Sequence, residues 1–183
     1  ASELSACETV SQISALVAGW SASETGALAA FCWTPDPAHP LLVCTGTAGE
    51  GARKFARRSV SREDPLAQEV LRDKRTILIE EVQVSRRLKS WIADPPAGSC
   101  LIVPLTSAPS DELAAVLLLF FAIPPRTEAV AARVREGLAP AAAPLERALR
   151  SERKTAGMRQ AIERLTALYD LSKAFGSTID LAE

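Results

Sequence analysis

Ser99-Cys100-Leu101-Ile102-Val103-Pro104-Leu105 and Glu112-Leu113-Ala114-Ala115-Val116-Leu117-Leu118-Leu119-Phe120-Phe121 are two apolar runs separated by the turn-like stretch Ser107-Ala108-Pro109-Ser110-Asp111. The longest continuous apolar run, Leu113 to Ile123, falls well short of the roughly 18 residues that a membrane span needs. Length and flanking turn residues predict two adjacent strands. Apolar side chains fill alternate and intervening positions alike, so both faces of the sheet need a cover, and the helices must supply it.

Upstream, Ala27-Leu28-Ala29-Ala30-Phe31-Cys32-Trp33 and Leu41-Leu42-Val43-Cys44-Thr45 predict a hairpin closed over Pro35-Asp36-Pro37, because proline cannot donate to a strand ladder. Before it, Leu4, Cys7, Val10, Ile13, Leu16, Val17 and Trp20 recur at helical spacing, and Ser21 to Gly26 should end that helix. The glycines of Gly46-Thr47-Ala48-Gly49-Glu50-Gly51 match neither a dinucleotide fingerprint nor a nucleoside triphosphate loop, so a plain loop is expected. Ser61 followed by Asp64 and Pro65 has the form of a helix start, with Leu66, Val70 and Leu71 on one face and an end near Asp73-Lys74. Thr76-Ile77-Leu78-Ile79 then predicts a short strand. Val82 to Ile92, stopped by Pro95-Pro96, predicts a short helix or an ordered loop.

Downstream, Thr127 to about Phe175 is helical in pattern, with a kink or break expected between Gly137 and Pro144 because Pro140 and Pro144 each remove a backbone donor. Leu145, Leu149, Met158, Ile162, Leu165 and Tyr169 form an apolar stripe interrupted by Glu152-Arg153-Lys154, which predicts an interrupted two-stranded coiled coil between two copies of the chain. Ser177-Thr178-Ile179-Asp180-Leu181 reads as the start of a further domain. The expected organisation is a globular domain over 1–149, a linker or coiled-coil helix over 150–176, and the opening of a following domain over 177–183.

In this order of elements, Asp64-Pro65-Leu66-Ala67-Gln68-Glu69-Val70-Leu71-Arg72 leading into Thr76 to Val82, then Leu101-Ile102-Val103-Pro104-Leu105, then Leu113 to Phe121, resembles a GAF domain over Leu4 to Leu149. Leu165 to Leu181 is similar to the opening helix of a second GAF domain in tandem sensors. The resemblance implies an α+β fold: a central antiparallel sheet of about five to six strands, covered by helices and continued by a long C-terminal signalling helix. It also implies a regulatory, non-enzymatic module of a bacterial-style signalling protein. Such a module senses a small molecule, mediates dimerisation, or does both, and relays the result to an effector domain in the same chain. A ligand-free dimerisation and spacer module is the alternative, and a thiol redox enzyme, as in GAF-like methionine sulfoxide reductases, is a further one.

The resemblance places a pocket between one sheet face and the loops that cover it. Phe31, Trp33, Trp91, Cys100 and Ile102 would form its walls, with Thr45 and Arg53 as polar anchors; the same aromatics could equally be core. Bilin is disfavoured because no cysteine stands beside a histidine. Haem is disfavoured because the single histidine, His39, sits in a proline-rich turn. A cyclic nucleotide lacks support, since Arg53-Lys54-Phe55 and Arg57-Arg58 do not reproduce the Asn-Lys-x-x-Asp-like stretch.

Composition narrows the partners. The 183 residues are 48% hydrophobic and carry a net charge of -1, which gives no global field for nucleic acid or an anionic membrane surface. The basic groups around Arg57, Arg58 and Arg62 and at Arg86, Arg87 and Lys89 lack interleaved aromatics. Cys7, Cys32, Cys44 and Cys100 are too dispersed for a zinc site, and the last three sit in apolar runs. With no signal-like start, a cytoplasmic location is the expectation.

Overall fold

Both apolar runs become long strands of one antiparallel sheet. The computed structural model describes residues 9–50, 52–96, 98–107 and 112–179, with side chains as far as 171. Strands β5 (Ser99–Thr106) and β6 (Leu113–Phe121) pair from Ser99 opposite Phe121 to Thr106 opposite Leu113. The hairpin of β1 (Ala29–Pro35) and β2 (Leu41–Gly49) lies on the far side of β6. Short strands β3 (Ser59–Ser61) and β4 (Ile77–Ile79) close the edges, giving the order β3-β2-β1-β6-β5-β4 with every neighbour antiparallel.

Helix α1 (Val10–Thr25) starts on a capping box: Gln12 N–H donates to Thr9 Oγ1, and Thr9 N–H donates to Gln12 Oε1. The helix ends within the expected Ser21–Gly26 stretch, at its far end rather than at Ser21. Ser21 is buried and its hydroxyl donates to the Val17 carbonyl at 2.7 Å, so its polar group is satisfied inside the helix, which ends instead at Gly26 with φ 70°. Residues 3–8 of the expected helix lie outside the described residues. Helix α2 (Pro65–Asp73) has Pro65 in its first turn and Asp64, not Ser61, as its cap, with Asp64 Oδ1 accepting from Leu66 and Ala67 N–H. The basic stretch after Gly51 forms a 3₁₀ turn (Ala52–Phe55) and then leads into β3.

Helix α3 (Thr127–Ile179) is unbroken at Pro140 and Pro144. Each proline withholds the amide that would meet the carbonyl four residues earlier, at Glu136 and at Pro140. The helix holds there through packing, because Leu138, Ala141, Ala142 and Leu145 are buried against the sheet.

The two sheet faces carry separate cores. Ala30, Cys32, Leu101, Val103, Leu117 and Leu119 point to α1 and α3, while Phe31, Trp33, Cys100, Ile102, Leu118 and Phe120 point to α2 and the loops. Alternate residues of each strand thus serve opposite faces.

Candidate functional site

Five of the seven residues proposed to bind ligand meet on the loop-covered face. Phe31, Trp33, Trp91, Cys100 and Ile102 belong to one buried cluster and are inaccessible to solvent. Trp33 and Trp91 meet edge to face, with ring centroids 5.0 Å apart, and Phe31 stands edge-on to both Phe55 and Phe120 at 5.6 Å. The indole of Trp91 lies where the wall of a ligand pocket was expected. Trp33 Nε1 is buried here without a hydrogen-bond partner. At the rim, Phe31, Phe55, Lys54 and Asp94 border a hollow of about 300 Å³, and Lys54 and Asp94 stand 3.7 Å apart.

Asp64 fixes this arrangement. Besides capping α2, its Oδ1 accepts from Trp91 Nε1 at 3.1 Å and its Oδ2 from Ser90 Oγ at 2.6 Å. Asp64→Ala should therefore remove a cap worth about 1 kcal/mol and strand a buried indole N–H at a cost of about 1–3 kcal/mol. The expected loss is about 2–4 kcal/mol in urea unfolding followed by tryptophan fluorescence. Asp64→Asn, which keeps an acceptor at the cap, should recover part of it. An alanine variant as stable as the parent would mean that the Trp91 segment is held by its apolar contacts alone.

Thr45 is not with the other five. The register slips between Cys32 opposite Gly46 and Trp33 opposite Cys44, which leaves Thr45 as the extra residue of a bulge. Thr45 therefore turns toward α1, where its hydroxyl donates to Ser14 Oγ at 2.9 Å and meets Thr34 Oγ1 at 3.2 Å. Arg53 is exposed on the 3₁₀ turn and is not among the buried residues. Of the neighbouring cations, Lys54 and Arg58 sit over the Phe55 ring at 5.1 and 5.6 Å.

Cys32, Cys44 and Cys100 are free and buried; Cys7 lies outside the described residues. Burial pushes the Cys32 and Cys44 thiols up to about 12 and raises Cys100 as well. The depressed thiol that redox chemistry needs is contradicted at all three positions. The folded state favours the protonated thiol, so its stabilisation is complete below the unfolded pKa near 9 and is lost as pH rises toward about 12. Stability should fall through that window by about 1.4 kcal/mol per pH unit for each titrating thiol. Cys32→Ala should show a shallower fall, and an unchanged slope would mean that this thiol is not shielded.

His39 is exposed in the β1–β2 turn, its Nδ1 3.0 Å from Asp36 Oδ1. Burial alone would raise the Asp36 carboxyl. The amides of Ala38 and His39, with the His39 ring, outweigh that and hold it below its ordinary value. Among the described residues no group of three metal-ligating side chains forms, and no helix is long and apolar enough to cross a membrane.

Of the stripe on α3, Leu145 and Leu149 are buried in the domain's own core, whereas Met158, Ile162, Leu165 and Tyr169 are 60–68% exposed. Leu168 and Leu171 are exposed beside them.

An antiparallel sheet with one face under two helices and the other under short helices and loops, continued by a projecting helix, defines an α+β domain. That fold is the GAF fold. Similar solved structures include the GAF-B domain of DevS from Mycobacterium smegmatis, 21% identical with TM-score 0.59 over 79% of this chain and 98% of that one. The GAF domain of a phosphoenolpyruvate-protein phosphotransferase from Coxiella burnetii is 17% identical, with TM-score 0.63 over 80% of this chain and 88% of that one. The free methionine-R-sulfoxide reductase from Neisseria meningitidis, solved with its substrate, is 17% identical, with TM-score 0.57 over 84% of this chain and 86% of that one. No family model and no curated protein matches the sequence.

Proposed function

We propose that the chain is a non-catalytic GAF module that dimerises through the outer half of α3 and relays a signal along that helix to an effector domain in the same chain. One observation carries this reading. Met158, Ile162, Leu165 and Tyr169 are spaced four, three and four residues apart and are all exposed, which is the a/d spacing of a two-stranded coiled coil. Leu149, the last residue of α3 buried in the domain, and Met158 are nine residues apart, about two and a half turns at 3.6 residues per turn. The outer stripe therefore points away from the domain that the inner stripe packs against, so its cover has to come from outside this fold, and a second copy offers the matching stripe. Residues 150–176 are then the connecting helix and 177–183 open a following domain. Residues 180–183 lie outside the described residues. Sedimentation equilibrium of the chain tests this: a dimer is expected, and a monomer at all accessible concentrations would overturn it.

A second reading keeps the loop-covered face as a sensor. It is favoured by the unpaired Trp33 Nε1 and by the hollow at Phe31 and Phe55. A ligand there would have to move Trp91 and accept from Trp33. A thermal-shift screen with cyclic nucleotides, amino acids, keto acids, haem and small aromatics should give a concentration-dependent rise that Trp91→Phe alters; no rise with any of them would leave the face as core.

A further inference from the structure

A groove of about 760 Å³ lies at the end of the sheet where α3 leaves the domain. It is bordered by the β1–β2 turn, the end of α2, the start of β6, and Arg153 of α3. Arg62, just after β3, also lines it and is anchored by its own N–H to the Pro40 carbonyl at 3.0 Å. Arg62 Nε is buried and has no hydrogen-bond partner. Arg62 is half-buried, and a donor shielded from water at its Nε is costly unless something accepts from it.

The acids nearby do not fill that role. Asp36 Oδ1 is taken up by the two turn amides and the His39 ring, no carboxylate accepts from Arg62 Nε, and Glu112 and Lys74, which also line the groove, have interactions of their own. Leu71 and Leu113 supply an apolar floor. Arg153 lies four residues, one turn, beyond Leu149 and so continues the domain-facing side of the helix. The polar interruption Glu152-Arg153-Lys154, which breaks the apolar stripe in the sequence, is the point where the helix borders this groove.

We propose that the groove binds a small oxyanion, a carboxylate or phosphate on a compact apolar body, held between Arg62 and Arg153. A guanidinium matches two oxygens of such a group; a small shift of the Arg62 side chain would give its Nε the acceptor it lacks, and Arg153, which also lines the groove, supplies a second guanidinium. Arg62 belongs to the globular part and Arg153 to the projecting helix. Occupancy would tie the first exposed turn of α3 to the domain and bias the direction in which the helix leaves it. This regulatory role rests on the relay reading above; binding itself does not.

The test is calorimetric titration of the full chain with benzoate and with phenyl phosphate at constant ionic strength, with benzyl alcohol as the neutral counterpart. Saturable binding of at least one anion and none of the alcohol is expected, and the stronger of the two identifies the headgroup. Arg62→Gln and Arg153→Gln should each weaken binding about tenfold or more, and Arg159→Gln, on the exposed outer helix, should not. Arg153 is exposed on the helix surface, so its variant reports on binding even if Arg62→Gln perturbs folding. No saturable heat from either anion, or affinities unchanged in both groove variants, would overturn the proposal. A monomeric chain that still binds through both arginines would retain the site and remove the dimer reading, and a dimer that binds neither anion would do the reverse.

Discussion

Gly46→Ala is expected to cost at least about 3 kcal/mol of folding stability, near the upper end of what overpacking does in a core. Gly46 lies in β2 directly under α1. A Cβ there would stand 2.1 Å from the Ser14 carbonyl oxygen, 2.3 Å from its carbon and 2.8 Å from the Ala15 nitrogen. All three are backbone atoms of a helix, so no rotamer change relieves the contact. Non-bonded atoms sit about 3.5 Å apart or more, and α1 would have to lift by over an ångström. That movement loosens Val10, Ile13, Val17 and Ala18, all buried against the sheet. Thermal unfolding should drop by about 6–12 °C. Gly19→Ala is the internal control, since nothing lies within 4 Å of a Cβ there and alanine favours the helix by up to about 1 kcal/mol. A Gly46→Ala protein within about 1 kcal/mol of the parent would mean that α1 is not seated on β2 as described.

Leu165→Glu is expected to weaken self-association at least about 100-fold while leaving the unfolding of the globular part unchanged. Leu165 is 67% exposed in the single chain, so its removal takes nothing from the domain core. In a parallel pair it would be buried on both helices, and each leucine contributes about 1.5–3 kcal/mol of burial. Two lost leucines amount to about 3–6 kcal/mol, or a factor of about 10² to 10⁴ in dissociation constant, before any repulsion between facing glutamates. Sedimentation velocity and thermal unfolding on the same samples separate the two effects. A dimer of unchanged affinity would place the interface elsewhere, on α1 or the domain surface. A loss of domain stability would show that the outer helix folds back on its own domain.

How far each feature could be read from the sequence depended on whether its cause was local. The runs at Leu101–Leu105 and Leu113–Phe121 were legible as central strands because their apolarity on both faces leaves one arrangement. Pro65 marked the start of α2 because its lack of an amide is harmless there, but the cap was one turn away from the expected serine, at Asp64, which also satisfies Trp91. That second duty is a tertiary contact between residues 27 apart, and no local spacing encodes it. Edge strand β3 has one buried residue, Val60, too little for any periodicity. Thr45 was assigned by alternation, and the bulge at Cys32/Trp33 reversed it. Trp33, Trp91, Phe31, Cys100 and Ile102 were correctly gathered on one face. Whether a cavity is left among them depends on how two indoles interlock, which is a matter of three-dimensional packing.

The opposed directions of the inner and outer stripes of α3 have a consequence for joining this module to others. Each inserted residue turns everything beyond it by about 100° and advances it by 1.5 Å. Two residues added between Leu149 and Met158 would rotate the outer stripe by about 200°, onto the side occupied by the domain, whereas seven would return it to within about 20° of its place. Length in this stretch thus acts as an angular setting, so a chimera's output should follow the number of residues at the junction more closely than their identity.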